Sequence, residues 1–112
     1  MYIAVYATDN YDDQEEFENV LDKYPKNIPL MLIDNDKLIN TFMMVYAWSR
    51  RRTCEYVTLD EALDCAFKFI IFRKKIISDD IVRDILSKKG RTACKFVPHG
   101  LFAHHRDQAK AK

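Results

Sequence analysis

Residues 1–34 read MYIAVYATDNYDDQEEFENVLDKYPKNIPLMLID, and the way this stretch folds decides the class of the whole chain. Tyr2 to Thr8 is a continuous apolar run rich in Tyr, Ile and Val, the composition of a strand covered on both faces. It stops in Thr8-Asp9-Asn10, residues that favour turns. Asp12 then stands where a helix cap belongs. Asp13, Glu15 and Glu16 follow in the first turn, where the helix dipole is positive. Phe17, Val20, Leu21 and Tyr24 fall at i, i+3, i+4 and i+7, which gives one apolar face, and Pro25 ends the helix. Ile28 to Ile33 is a second apolar run, closed by Asp34-Asn35-Asp36. The helix between the two runs is long enough for a right-handed parallel crossover, so the chain opens with a βαβ unit.

Downstream, Thr41 to Trp48 (TFMMVYAW) has the β-branched and aromatic content of a strand, although Leu38, Phe42, Val45 and Tyr46 also fit a helical stripe. It is read as a strand, with Arg50-Arg51-Arg52 as the following turn and Cys54 to Val57 as a short extended piece. Thr58-Leu59-Asp60-Glu61 has the form of a capping box and predicts a main helix over 58–75. That helix would carry a core stripe of Leu59, Ala62, Leu63, Ala66, Phe67, Ile70 and Ile71. A second stripe of Cys65, Phe69, Phe72 and Ile76 would leave only a narrow polar arc around Asp64 and Lys68, so the helix needs cover on two sides. Ser78 is placed to cap another helix over 78–89, ended by Lys88-Lys89-Gly90, and this helix supplies the cover. Thr92 to Val97 reads as a closing strand, and a polar tail follows from about residue 103. The expectation is a single domain, 1–112, of α/β or α+β class: a small sheet begun by a βαβ unit and backed by two C-terminal helices.

Composition narrows the function classes. With 112 residues, 48 % apolar and 12 % aromatic residues, two glycines and three prolines, the chain is neither disordered nor collagen-like. No run of about 18 apolar residues is present to span a bilayer. The first residues lack the basic region and small-residue cleavage site of a secretory signal. Cys54, Cys65 and Cys94 do not form a disulfide framework, and a reducing, cytoplasmic location is expected. The net charge of +1 hides a division. Met1 to Ala62 has 6 Lys/Arg against 12 Asp/Glu, whereas Leu63 to Lys112 has 12 against 5.

The cations cluster in Arg50-Arg51-Arg52, Arg73-Lys74-Lys75, Lys88-Lys89 with Arg91, Lys95, and His104-His105-Arg106. No packing role for the Arg triplet is evident from sequence. Tyr46, Trp48 and Tyr56 lie close to it, where they would stack on unpaired bases. The α–β–β–β–α order expected over 13–75 invites comparison with double-stranded-RNA-binding domains. Thr58-Leu59-Asp60-Glu61 is acidic where those domains need phosphate-gripping lysines, and the resemblance is rejected.

Other constellations are weaker. Asp9, Asp34 and Asp36 would share one sheet edge and suit Mg²⁺, but Asp is also an ordinary residue for leaving a strand. With only Gly90 and Gly100 in the chain, no glycine-rich phosphate loop accompanies them. Cys94, His99, His104 and His105 have zinc-type donors without a C-x-x-C pair. The same histidines have the chemistry for acid–base work on an RNA backbone, with Lys95 or Arg106 steadying a phosphate, but this would need ordered residues near the C-terminus. Neither a metal nor a cofactor is expected.

The leading expectation is a small non-enzymatic regulatory protein binding nucleic acid, RNA more than DNA. Its site residues would be Arg50, Arg51, Arg52, Arg73, Lys74, Lys75, Lys88, Lys89, Arg91, Trp48 and Tyr56. The alternative is a protein-binding inhibitor or adaptor whose acidic first half meets a basic partner surface. The third reading is a Mg²⁺- or His-dependent nuclease. A homodimer through Cys65, Phe69 and Phe72 is the second way to cover the main helix.

Overall fold

A computed structural model of the chain describes residues 1–8, 11–33, 37–73 and 79–97. The elements in order are β1 (Tyr2–Ala7), α1 (Gln14–Leu21), β2 (Leu30–Ile33), α2 (Lys37–Arg50), β3 (Cys54–Val57), α3 (Leu59–Cys65), β4 (Ala66–Phe72), α4 (Asp80–Lys89), a 3₁₀ turn (Arg91–Ala93) and β5 (Cys94–Val97). The five strands form one parallel sheet in the order β3-β2-β1-β4-β5, begun by the βαβ unit read from residues 1–34. The class is therefore α/β.

The chain winds outward from β1 to β3, then crosses β1 and winds outward again through β4 to β5. Right-handed crossovers consequently put α1 and α2 on one face of the sheet and α3 and α4 on the other. On the first face Phe17, Val20 and Leu21 of α1 and Ile39, Phe42, Met43 and Tyr46 of α2 pack on Ile3, Val5, Leu30, Leu32, Ile70 and Phe72. On the second, Ala62, Leu63 and Ile85 pack on Ala4, Tyr6, Met31, Ile33, Phe69 and Ile71. A sheet covered on both faces needs apolar residues at successive positions, which accounts for the unbroken apolar runs of β1, β2 and β4.

Two elements differ from the sequence reading. Thr41 to Trp48 is helical, because β2 and β3 are parallel neighbours and their connection must travel back along the sheet. The β-branched and aromatic content yields to the spacing of Ile39, Phe42, Met43 and Tyr46, which buries one helical face. The helix expected over 58–75 ends at Cys65, and Ala66–Phe72 is the strand between β1 and β5. Its two apparent helical stripes each mix residues from both faces of a doubly covered strand, Ile70 and Phe72 on one face and Phe69 and Ile71 on the other, while Ile76 lies outside the described residues. Phe69 faces α3 and α4, while Phe72 faces α1, with its ring centroid 4.8 Å from Phe17 and 5.2 Å from Tyr11. Both are fully buried, so the dimer contact through Cys65, Phe69 and Phe72 has only Cys65 at the surface.

The caps mostly follow the sequence. Asp13, one residue later than expected, accepts the Glu16 amide, and Thr58 accepts that of Glu61. Asp79 rather than Ser78 caps α4 through the Ile81 and Val82 amides. Gly90, at φ 81°, closes α4 as the sequence suggested. Ser78 lies outside the described residues, as do Pro98 and the tail from about 103.

Candidate interaction surface

The three adjacent arginines do three different things. Arg50 reaches across to α1, donating to Glu18 Oε1 and Asp22 Oδ2, both at 3.0 Å, while its guanidinium lies 4.9 Å from the Tyr46 ring centroid. Its hydrogen bond to Asp22 holds that carboxyl below its ordinary pKa, and the Tyr46 hydroxyl, donating to the same carboxylate at 3.0 Å, acts in the same direction. Arg51 is exposed and takes φ 53°. It occupies the left-handed position after α2, with its amide on the Trp48 carbonyl and the Arg52 amide on that of Ala47. This is a Schellman closure with Arg where Gly is usual. Arg52 is only 4 % exposed, and its guanidinium donates to the carbonyls of Leu21, Tyr24, Pro25 and Ile28 and to the Tyr46 hydroxyl. Arg50 and Arg52 thus have a packing role, tying the ends of α1 and α2 together, while Arg51 contributes its backbone to the closure of α2 and leaves its side chain exposed.

Among the described residues the other clustered cations are divided between the two edges of the sheet. α2 runs against the strands it links, so Arg50–Arg52 lie at the N-terminal edge of the sheet beside β3. Lys88 and Lys89, the last residues of α4, and Arg91 after it lie at the same edge beside β5, the opposite outer strand. Arg73 leaves β4 at the C-terminal edge, with its guanidinium 4.3 Å from the Phe96 ring centroid, and burial lowers its pKa from the ordinary value. Lys74 and Lys75 lie outside the described residues, as do Asp9, Asp34, Asp36, His99, His104 and His105.

Near Arg73, Tyr6 donates to Asp79 Oδ2 at 2.9 Å and so ties β1 to the start of α4. Thr8, whose amide donates to Phe72 O at 2.9 Å, has a buried hydroxyl with no hydrogen-bond partner among the described residues. Among those residues no group of three or more His, Cys, Asp or Glu side chains is arranged to hold a metal ion. No helix among them is long and apolar enough to cross a membrane.

The feature that sequence reasoning did not isolate is the outer side of α2. Opposite the core stripe Ile39, Phe42, Met43 and Tyr46, the residues Thr41, Met44, Val45 and Trp48 repeat the same i, i+3, i+4, i+7 spacing. Here the stripe faces outward: Trp48 is 80 % exposed, Met44 60 % and Val45 40 %, with Leu38 41 % beside them. Tyr56 of the edge strand β3 is 52 % exposed, and its hydroxyl donates to the Asn40 carbonyl at 3.2 Å, which draws its ring alongside α2. Of the aromatics expected to stack on bases, Trp48 and Tyr56 are accessible and Tyr46 is fully buried. The signal was present in TFMMVYAW, but reading it as a strand concealed the double spacing.

Compared with models of known protein families, with curated proteins and with solved structures, the chain has no significant match.

Proposed function

We propose that this domain is a non-enzymatic protein-binding module, an adaptor or inhibitor, that docks through the outer face of α2 and the adjoining Tyr56. The observation that carries this reading is the pair of apolar stripes on opposite sides of one helix. A helix that is apolar all round belongs in an interior, and α2 has the sheet on one side only. A Trp flanked by Met and Val, exposed together, is the composition of a binding hot spot rather than of scattered surface apolar residues. The acidic excess of the first half, from which α1 and α2 both come, favours a basic partner.

The nucleic-acid reading is the competing outcome of the same test. A photo-reactive side chain placed at Met44, in the cells that make the protein, should give one discrete protein adduct. That adduct should disappear in Trp48→Ala and be absent when the probe sits at Arg83 on α4. In parallel, single-stranded RNA, duplex RNA and duplex DNA are titrated against the parent and a Lys88→Ala/Lys89→Ala/Arg91→Ala variant. Salt-dependent binding that the triple change abolishes, with no protein adduct at Met44, would overturn the docking reading and restore the basic C-terminal half as the site.

A further inference from the structure

We infer that the segment docking on α2 is a basic amphipathic α-helix of a different protein, laid along α2 with its cations over the acidic side of α1. This inference rests on the docking reading above and adds the shape and charge of the partner. Shape comes from the stripe itself. Thr41, Met44, Val45 and Trp48 cover two helical turns, about 10 Å at 1.5 Å per residue, in the pattern that fits between the side chains of another helix. Met44 and Trp48 stand one turn apart, and Val45 lies between them and α1, so the apolar strip is narrow and runs along the helix axis.

Charge comes from α1, which lies beside α2 with the same direction because both return antiparallel to the parallel strands they join. The contacts of Arg50 with Glu18 and Asp22 fix which side of α1 faces α2. Glu15, three residues before Glu18, continues that row and is exposed. From Tyr11 to Asp22 the chain holds Asp12, Asp13, Glu15, Glu16, Glu18 and Asp22 and no Lys or Arg. Glu16 is turned to the Tyr11 hydroxyl and Asp13 to the Glu16 amide, so Glu15, Glu18 and Asp22 make the row toward α2, with Arg50 on Glu18 and Asp22 and Lys26 acting on Asp22. A partner seated on the strip therefore meets an acidic bank along one side. A second copy of this chain is a poor occupant. It would bring the same acidic bank, and an antiparallel pairing of α2 with its copy would set the exposed Lys37 of one against Arg51 of the other.

Two designed peptides of about 18 residues, long enough to hold a helix, test the inference. Both carry Leu at i, i+3, i+4 and i+7 repeats; one has Lys and the other Glu at the flanking positions. Binding is followed by amide chemical shifts of the labelled protein and by calorimetry. The Lys peptide should bind the parent with shifts centred on Met44, Val45 and Trp48. Its affinity should weaken about tenfold or more in Trp48→Ala, in line with loss of an aromatic anchor, and severalfold in Glu15→Lys and at high salt. Equal or tighter binding of the Glu peptide would overturn the basic partner and leave the docking reading standing. Trp48-dependent self-association of the parent, with neither peptide bound, would assign the face to a second copy and overturn the inference. A monomer that binds neither peptide would overturn the inference, and together with a missing Met44 adduct it would remove the docking reading as well.

Discussion

The guanidinium of Arg52, one residue beyond the closure of α2, donates to the Pro25 carbonyl at 2.8 Å and so finishes the turn that follows α1. Arg52 also reaches the Leu21, Tyr24 and Ile28 carbonyls. Since Leu21 O and Pro25 O already accept the Tyr24 and Ile28 amides, the guanidinium adds a second donor to each of these two and ties the end of α1 to the turn after it. One side chain therefore fixes where α1 stops relative to where β3 begins.

Neighbouring arginines should accordingly respond in opposite directions. Arg52→Ala strips a buried, charged donor from several carbonyls and should cost about 3 kcal/mol, with Arg52→Lys recovering only part, since an ammonium cannot span the same set. Arg51→Gly removes the side chain from a left-handed position and should raise stability by about 1 kcal/mol. Urea denaturation of the three variants measures both signs.

Phe69 and Phe72 test the strand assignment. Each is fully buried, on opposite faces of β4, so either change to Ala should cost about 3–5 kcal/mol through lost transfer energy and the cavity left behind. If the helix over 58–75 existed with these residues on an outward stripe, the same changes would shift oligomeric state and leave stability nearly unchanged. Denaturation combined with light scattering separates the two results.

Acid should loosen the link between α1 and α2. In the folded protein the Asp22 carboxyl titrates below its ordinary value of 3.8, chiefly because of the Arg50 hydrogen bond. A depressed carboxylate pKa means that the unfolded chain takes up the proton first. The contribution is therefore complete above the ordinary value and is lost as pH falls through the folded one. The pair is largely solvated, so the contribution is at most about 1 kcal/mol and salt weakens it. Asp22→Asn should lower stability at neutral pH and flatten the stability profile below about pH 4.

The parts of the fold legible in the sequence were those with local chemical markers. The acidic first turn of α1, the capping box at Thr58 and the glycine after Lys89 each correspond to an element end. The junction between α3 and β4 carries no such marker. Cys65 is followed directly by Ala66 with no glycine, proline or polar turn between them, and a strand buried on both faces is indistinguishable in apolar pattern from the continuation of a buried helix. In α2, side-chain type and spacing pointed different ways, and the crossover between parallel strands, a property of the whole sheet, decided the outcome. The roles of Arg50 and Arg52 were equally invisible, since they depend on carbonyls and carboxylates 27 to 32 positions earlier.

The central place of β1 also bears on how the protein is made. One side of β1 pairs with β2, which follows soon after it, but the other side pairs Tyr2 through Ala7 with Ala66 through Phe72. At roughly 5–20 residues per second, a ribosome delivers that second neighbour roughly 3–13 seconds later. Until then the nascent chain holds an apolar strand with one row of amides and carbonyls unpaired. Completion of the sheet must therefore wait for β4, long after α1 and β2 have emerged, and until then that open row is an edge on which another strand can pair.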